Sequence, residues 1–512
     1  MSARDTAPAP TAAFRTPTPA MTRALTATPP PSGRTARGLR AALRLTVLGG
    51  AALVAACGSL APAYRQPAAP IPADWKPGAA APVAGAPAAT ATPPPELAWK
   101  DFFLDPRLRT VVGQALENNR DLRVAALNIE RARAQYGIQR ANLFPSVNAS
   151  GGASRSRTAA DTAASGRSVT ANQFSAGVGF ASYELDLFGR LGNLNDAALQ
   201  SFFSTADTRR SVQISLVGDT ATAWLTLAAD LRRLQLAQET LKSQQASYEL
   251  TRRAHDLGAE SGLTLAQART TVDAARSDVA GFTRQAAQDR NALALLVGAP
   301  VDDALLPTAE DVTVPAAALV AVPAGLPSEL LQNRPDVLAA EHTLQGAGAS
   351  IGAARAAFFP RITLTASAGS ASRDLDRLFA SGNGTWSFSP QIVLPIFNAG
   401  ALRASLDVAL ITRDINVAQY EKTLQTAFRE VSDALDARAN LGEQLDAQRS
   451  LRDASATVLQ LSQARFRTGL DSYLDVLVSQ RAFYTAGQNL ITLQLAEQAN
   501  RITLYRVMGG GA

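Results

Sequence analysis

The chain contains part of itself twice. Residues 121–145 (DLRVAALNIERARAQYGIQRANLFP) align without a gap on residues 336–360 (DVLAAEHTLQGAGASIGAARAAFFP), and nine of the 25 positions are identical. Four of the identities are Ala, which is cheap in an Ala-rich chain. The other five are Asp121/Asp336, Gly137/Gly352, Arg140/Arg355, Phe144/Phe359 and Pro145/Pro360. In both copies a helix-like stretch ends at Phe-Pro and a small-residue, alternating segment follows. The offset, 336 − 121 = 215 residues, is too long for a solenoid repeat. It reads as duplication of a whole structural half, so the fold must have internal two-fold likeness.

Each half offers one long hairpin. In the first, about 145–188, Phe174, Ala176, Val178 and Phe180 alternate on one face of the returning strand, after a Gly/Ser/Thr/Arg loop. In the second, about 360–397, Ile362, Leu364, Ala366 and Ala368 alternate outward, and Trp386, Phe388, Pro390, Ile392, Leu394 and Ile396 alternate back. Strands of about 10–14 residues exceed the ~9–11 that a tilted membrane strand needs. A hairpin of a soluble sheet fits the same pattern.

Long helical tracts follow, about Leu191–Leu257 and Ala401–Thr468. Each would be ~100 Å if straight, so a mid-length break is expected. The offset of 211 that aligns Gly258 with Gly469, and Gly298 with Gly509, also aligns Ala229-Asp230-Leu231 with Asn440-Leu441-Gly442, a turn signal. This predicts a helical hairpin in each half with its tip there. Gly258 and Gly469 then mark second breaks, before final helices at about 263–297 and 473–508. Asp105-Pro106 predicts an N-cap and first helical position, and Asn118-Asn119 a break. The predicted layout is a leader at 1–56, a Pro/Ala-rich tether or extended wrap at 57–98, a first repeat at 99–298, a Pro-rich connection at 299–327 and a second repeat at 328–509.

The formal charge of +6 invites a nucleic-acid reading, but its location removes it. Residues 1–56 hold Arg4, Arg15, Arg23, Arg34, Arg37, Arg40 and Arg44 against Asp5 alone, which accounts for the whole +6. No basic stripe remains to track phosphates. The leader has the plan of a secretion signal: a positive n-region from Arg34 to Arg44, then the apolar run LTVLGGAALVAA at 45–56, too short to span a bilayer. Residues 1–20 read as a start-site artefact if Met21 is the true start. The run ends in Leu53-Val54-Ala55-Ala56-Cys57-Gly58, which resembles a bacterial lipobox, with cleavage between Ala56 and Cys57 and a covalent lipid on Cys57. Cys57 is the only cysteine, so no internal disulfide or multi-Cys metal site is possible. By the usual sorting rule Gly58, in place of Asp, implies the outer membrane. No later stretch reaches ~18 uninterrupted apolar residues, so no transmembrane helix is expected.

Four membrane strands cannot close a barrel, because an open sheet edge in lipid leaves backbone groups unsatisfied. Outer-membrane barrels begin at ~8 strands. The chain must therefore pool strands with copies of itself, and three copies supply twelve, a permitted even number. Internal duplication makes such a trimer a pseudo-sixfold hollow tube, which conducts.

Here the residues carry a family likeness. Cys57-Gly-Ser-Leu-Ala-Pro-Ala-Tyr-Arg-Gln-Pro67, Tyr183-Glu-Leu-Asp-Leu-Phe-Gly-Arg190, Leu326-Pro-Ser-Glu-Leu-Leu-Gln-Asn-Arg-Pro-Asp-Val337 and Phe466-Arg-Thr-Gly-Leu-Asp-Ser-Tyr-Leu-Asp-Val476 resemble, in order, the motifs of the outer-membrane factor (TolC-type) family. The likeness is to its OprM-like lipoprotein branch, which serves resistance-nodulation-division pumps. The resemblance implies a homotrimeric 12-strand outer-membrane β-barrel above a periplasmic α-helical coiled-coil barrel with an equatorial belt. It implies work as the exit duct of a tripartite efflux pump, with a periplasmic adaptor and an inner-membrane transporter as partners, and outer-membrane lipids around it. Ducts for metal-ion efflux or type I protein secretion remain alternatives, as does a non-conducting periplasmic coiled-coil scaffold.

Glu430, Asp433 and Asp436 share one helix face. They lie on the helix approaching the second predicted tip, where three symmetry copies would form acidic rings that gate the periplasmic end of the pore, with Arg429 and Arg438 as bridge partners that hold it shut; a solvated helix face is the alternative. At the offset of 211 they fall on Asp219, Thr222 and Leu225, so only the second copy carries the full set. The predicted tips, Ala229-Asp230-Leu231 and Asn440-Leu441-Gly442, are the candidates for adaptor contact. Trp386 and Phe388 suit an interfacial aromatic girdle or a packed strand. His255 and His342 lack ligand-like neighbours and are expected to bind no metal. No cofactor and no catalytic constellation are expected.

Overall fold

The computed structural model describes residues 58–73, 97–316 and 328–510. The predicted leader, the cleavage pair Ala56/Cys57 and the lipid site Cys57 lie outside them. After a single helical turn at Trp99–Phe102, the first half runs α1 (Pro106–Asn118), α2 (Arg120–Ala141), β1 (Val147–Thr158), β2 (Val169–Leu185), α3 (Arg190–Asp256) and α4 (Gly262–Val297). The second half runs α5 (Pro335–Ala356), β3 (Arg361–Ser372), β4 (Gly384–Val393), α6 (Ala401–Arg467) and α7 (Tyr473–Val507). The duplication is geometric as well as sequential. Helices α2 and α5 have 22 residues each, and α3 and α6 have 67 each. Strands β1 and β3 have 12 each.

Local chemistry sets the boundaries. The Asp105 carboxylate accepts from the backbone N–H of Arg107 (2.7 Å) and Leu108 (3.3 Å), with Pro106 at the first helical position. The Asn119 side chain caps α2 at Leu122 N–H (2.8 Å) while its amide donates to Leu296 O (2.8 Å), tying α2 to the end of α4. The strands form one antiparallel sheet in the order β1-β2-β3-β4, so β1 and β4 are edges. A register shift between Phe180 and Tyr183, with Ser182 at φ 54°, bends β2 near its helical end.

Helices α3 and α6 run unbroken through the positions predicted as tips. At ~1.5 Å per residue each is about 100 Å long. The chain reverses instead at 257–261 and 468–472, so the tips placed at 229–231 and 440–442 are corrected. Asn440 and Gly442 are a turn signal that the helix absorbs. The Asn440 amide donates to the Asp436 carbonyl one turn back (2.8 Å), as a helical residue can. A lone helical Gly costs only about 1 kcal/mol, which packing along so long a helix outweighs. Ala229 and Asp230 are buried mid-helix, and Ala228 and Ala229 pack with Val312 and Ile491.

That mid-length level is a belt. Phe102, Phe103, α1, the middle of α3 around Trp224, and the ends of α4 and α7 share one core. The Trp224 indole N–H donates to Leu305 O (3.0 Å), and the Phe102 and Tyr505 rings stack at 3.9 Å. A second core gathers Leu331, Val337, Tyr420, Leu424 and Val431, with Ala69 and Ile71 packed on it. Residues 58–73 are therefore an extended strap that starts on α3 of the first half and runs down the second. Ser59 Oγ donates to Asn193 (2.6 Å), Arg355 to Leu60 O (3.1 Å), Tyr64 to Glu341 (2.8 Å) and Gln66 to the Tyr420 hydroxyl (3.0 Å).

Candidate channel: a lipid-facing sheet and a duct with two tips

Directly opposed residues in an antiparallel ladder share a face. The register therefore sorts the sheet without ambiguity. Val147 pairs with Phe180, Phe180 with Ala366, and Ala366 with Phe388; one step on, Ala149, Val178, Ala368 and Trp386 align. Ile362 and Ile392 continue this apolar face beyond the bulge. The other face carries Ser150, Gly177, Gly369 and Thr385 in one row, and Ser367 beside Ser387 in another. In a soluble protein the apolar face is covered. Here Trp386 is 81% exposed, and Val147, Val178, Phe388 and Ile392 are also open. This sheet is inside-out: apolar residues point to lipid, and Ser and Gly point to a lumen. Its small inner side chains keep a bore open.

The sheet joins the duct through the segment 183–190. Arg190 forms a fork with Glu184 (2.7 and 2.7 Å), which Arg361 also approaches at 3.5 Å. Asp186 accepts from Gly192 N–H at the start of α3 (2.7 Å). The Phe188 ring stacks on Phe359 of the second half at 4.7 Å. No described helix is long and apolar enough to cross a membrane, which says nothing against the sheet.

The tips are built alike. Gly258 and Gly469 both have φ of +75°, a conformation in which a side chain is strained. In the first, Ala259 N–H reaches back to Ala254 O (2.8 Å); in the second, Leu470 N–H reaches Arg465 O (2.9 Å). Ser261 and Ser472 then cap the returning helices, the latter in a full capping box with Asp475. They differ in charge. Arg465 forks onto Asp471 (2.7 and 2.8 Å) and holds that carboxyl below the usual carboxylate range. The counterparts, 211 residues back, are Ala254 and Glu260. Leu257, Leu263, Leu470 and Leu474 are exposed around the two reversals.

The acidic set predicted near a tip lies elsewhere. From Asp433 to the end of α6 at Arg467 is 467 − 433 = 34 residues, roughly 50 Å of helix. Glu430 is engaged in the belt: Arg334 donates to Glu430 (3.0 Å), to Asp336 (3.0 and 2.7 Å) and to Val507 O (2.8 Å). Asp433 is exposed and faces Arg429 at 3.9 Å. Asp436 is exposed, and only its backbone carbonyl is used, by Asn440. Arg438 is half-buried; burial, and then the like charge of Arg501, lower its pKa. His342 is a helix-to-helix contact, with Nδ1 2.7 Å from Gln200 Oε1 and Nε2 3.5 Å from Asp207. The Arg465–Asp471 fork escaped the sequence reading. Its signal in the sequence is an arginine and an aspartate six residues apart, on either side of the Gly469 helix stop.

Comparison with known proteins decides the family. The profile of the family "Outer membrane efflux protein" matches residues 111–299 and again 326–510, once per repeat. The chain belongs to the outer membrane efflux protein family. It is 48% identical over 474 residues to the toluene efflux pump outer membrane protein TtgC of Pseudomonas putida, covering 92% of this chain and 95% of that one. It is 42% identical over 453 residues to the outer membrane protein OprJ of Pseudomonas aeruginosa, covering 88% and 93%. Among solved structures it superposes on the open state of the Neisseria gonorrhoeae MtrE outer membrane channel with a TM-score of 0.78 at 35% identity, covering 89% of this chain and 98% of that one. A membrane protein from Pseudomonas aeruginosa gives 0.80 at 40% identity, covering 89% and 98%. The chain is thus the outer-membrane channel of an efflux pump. It gives its four strands to a trimeric twelve-strand barrel and its long helices to the duct beneath. A non-conducting scaffold is ruled out by the inside-out sheet and by the family.

Proposed function

We propose that this channel is the exit duct of a tripartite pump that expels small apolar toxic compounds, solvents and antibiotics among them. It works with a periplasmic adaptor and an inner-membrane transporter of the resistance-nodulation-division class. The observation that carries the reading is the inside-out sheet mounted on a ~100 Å helical duct. The cargo class rests on relatives at 46–48% identity named as toluene, solvent and antibiotic efflux components. Energy for export would come from the transporter.

Lipidation of Cys57 fits this plan. Gly58 lies against Gly189, where sheet gives way to helix. Closure is assigned to the tips rather than to Glu430, Asp433, Asp436 and Arg438. The Arg465–Asp471 fork pins the second reversal, and three copies of Asp471 and Asp475 would ring the opening. Adaptor contact is assigned to the same reversals, where exposed leucines await an apolar partner. Deleting the gene should raise susceptibility to toluene and to apolar antibiotics, and the purified trimer should conduct ions in planar bilayers. Unchanged susceptibility together with an absence of conductance would sink the proposal.

A further inference from the structure

The lipid-facing side of the sheet carries charge only at its outer end. Its apolar rows run outward from Ile362 with Ile392, through Ala366 with Phe388 and Ala368 with Trp386, to Phe174 with Ala153 and Ser372. From Ile362 to Ser372 is 372 − 362 = 10 residue steps. That is about 34 Å of strand, or about 26 Å upright at a tilt of ~40°. It matches the ~25 Å height of an outer-membrane apolar band.

The first hairpin continues past this band. Two further rows on the same face pair Arg155 with Asn172 and Arg157 with Thr170. The two arginines lie two and four residues beyond Ala153, so about 5 and 10 Å above the band at that tilt. Alternation turns both side chains to the outer wall. The lumen-facing rows beside them pair Ser154 with Gln173 and Ser156 with Ala171, and hold no charge. The repeat does not share this pattern. Residues 153–172 hold Arg155, Arg157 and Arg167 against Asp161, a net 3 − 1 = +2, whereas residues 373–383 hold two Arg against two Asp. Arg155 and Arg157 are exposed, and neither is in an ion pair among the described residues. Arg157 donates only to the Ser168 hydroxyl, at 3.2 Å. A solvated loop tip has no reason to place its charge on one face, but a layer of anionic headgroups has.

We propose that Arg155 and Arg157 bind the phosphates of the outer-leaflet glycolipid, the lipid A portion of lipopolysaccharide, at one site per chain and three around the barrel. The inference goes beyond export, and it rests on the outward orientation of the apolar face. A guanidinium fork matches phosphate oxygens and stays charged at any physiological pH. Ala153, Phe174 and Val178 continue beneath it as a surface for acyl chains. Held there, the glycolipid fixes the height of the barrel in its leaflet.

The test uses the full-length trimer in neutral detergent, titrated with bis-phosphorylated lipid A and separately with lipid A stripped of phosphate, with the bound fraction read by native mass spectrometry. The unmodified trimer should bind the phosphorylated lipid about tenfold more tightly than the stripped one. R155Q/R157Q should lose about tenfold in affinity for the phosphorylated lipid, and R373Q/R377Q, in the charge-balanced loop, should lose none. Both variants should keep the wild-type conductance and ion selectivity in planar bilayers. Equal affinity of the unmodified trimer for the two lipids overturns the proposal without recourse to any variant. So does wild-type affinity in R155Q/R157Q, or equally tight binding of phosphatidylglycerol, which marks a general anionic-lipid surface. A change of ion selectivity in R155Q/R157Q turns the arginines to the lumen and overturns it as well. Conductance of the unmodified trimer reports on the duct separately.

Discussion

Glu430 tests whether a carboxylate in the middle of a duct helix gates the pore or fastens the belt. The Arg334 guanidinium is 11% exposed, and its four hydrogen bonds join the start of α5 to α6 and to the end of α7. Replacing Arg334 by Ala leaves two carboxylates and a helix-terminal carbonyl short of a donor. Loss of one partner of a fully buried pair costs about 3–5 kcal/mol. Asp336 and Glu430 are 35% and 38% exposed, so water recovers part of this, and about 2–3 kcal/mol is expected for R334A. Glu430→Gln keeps the volume and leaves the Asp336 fork in place, so it should cost about 1 kcal/mol. Because Glu430 depends on Arg334, the double variant R334A/E430Q should fall short of additivity by about 1 kcal/mol. Urea unfolding of the detergent-extracted trimer, read by tryptophan fluorescence at fixed protein concentration, measures all three. Single-channel recording of E430Q should show the wild-type conductance. Full additivity, or an E430Q channel of wild-type stability but raised conductance, would refute the belt assignment and return Glu430 to the pore.

Other consequences of the structure are equally direct. Asp471→Asn releases the Arg465 fork, so it should raise channel conductance severalfold and sensitise cells to large antibiotics; Asn at the exposed Asp433 should do neither. The depressed Asp471 carboxyl stays ionised as pH falls from 8 to 5, so closure due to the fork should be constant across that range in planar bilayers. Asp289 is pushed up to about 6, first by burial and then by its neighbour Asp230. A raised carboxylate destabilises the fold above its folded pKa and is relieved as pH falls toward the unfolded value. Asp289→Asn should therefore stabilise the trimer by about 1 kcal/mol at pH 7.5, a shift discounted for solvent screening, with the gain gone by about pH 4 in paired unfolding titrations. Trp386→Arg puts a charge on the lipid face and should cost about 2–4 kcal/mol if near the bilayer midplane, whereas Ser387→Arg, on the lumen face, should leave stability unchanged and alter ion selectivity.

Much of the architecture was legible in the residues because it is written in short-range patterns. Alternation from Phe174 to Phe180 and from Trp386 to Ile392 marks strands whatever surrounds them. Asp105-Pro106 is a helix start in any context. Alternation alone did not decide the inside-out character of the sheet, since it looks the same whether a core or a bilayer covers it; strand length and the family resemblance pointed to the membrane. The register decides it, because it puts Trp386 and Val178 on one uncovered face. The tips failed for a different reason. Asn440-Leu441-Gly442 is a good local turn signal, but the fate of a turn signal inside a helix is set by distant packing, and Ala229 and Leu445 are held in long buried contacts that no window around them reveals. The acidic set near 430 followed the tip into error, because its role was inferred from its distance to a reversal that lies elsewhere.

The duplicated halves have not stayed equivalent, and their differences fall where a threefold tube must break pseudo-sixfold symmetry. The strap at 58–73 fills the space against Gly352, whereas a Cβ at its repeat Gly137 would meet nothing within 4 Å. The charged fork and Asp475 sit on the second tip alone; the matching positions of the first are Ala254, Glu260 and Thr264. A gate needs a surface that can be held and released without melting the tube. If closure lies at the tips as proposed, an ionic latch on one reversal per chain leaves the other to keep its packing, and opening would require three forks to part. Moving the Arg465 and Asp471 pair into the first tip, as A254R/E260D, should then tighten closure and lower conductance below wild type. A channel with wild-type conductance that also binds its adaptor normally would show that the first reversal does not line the opening.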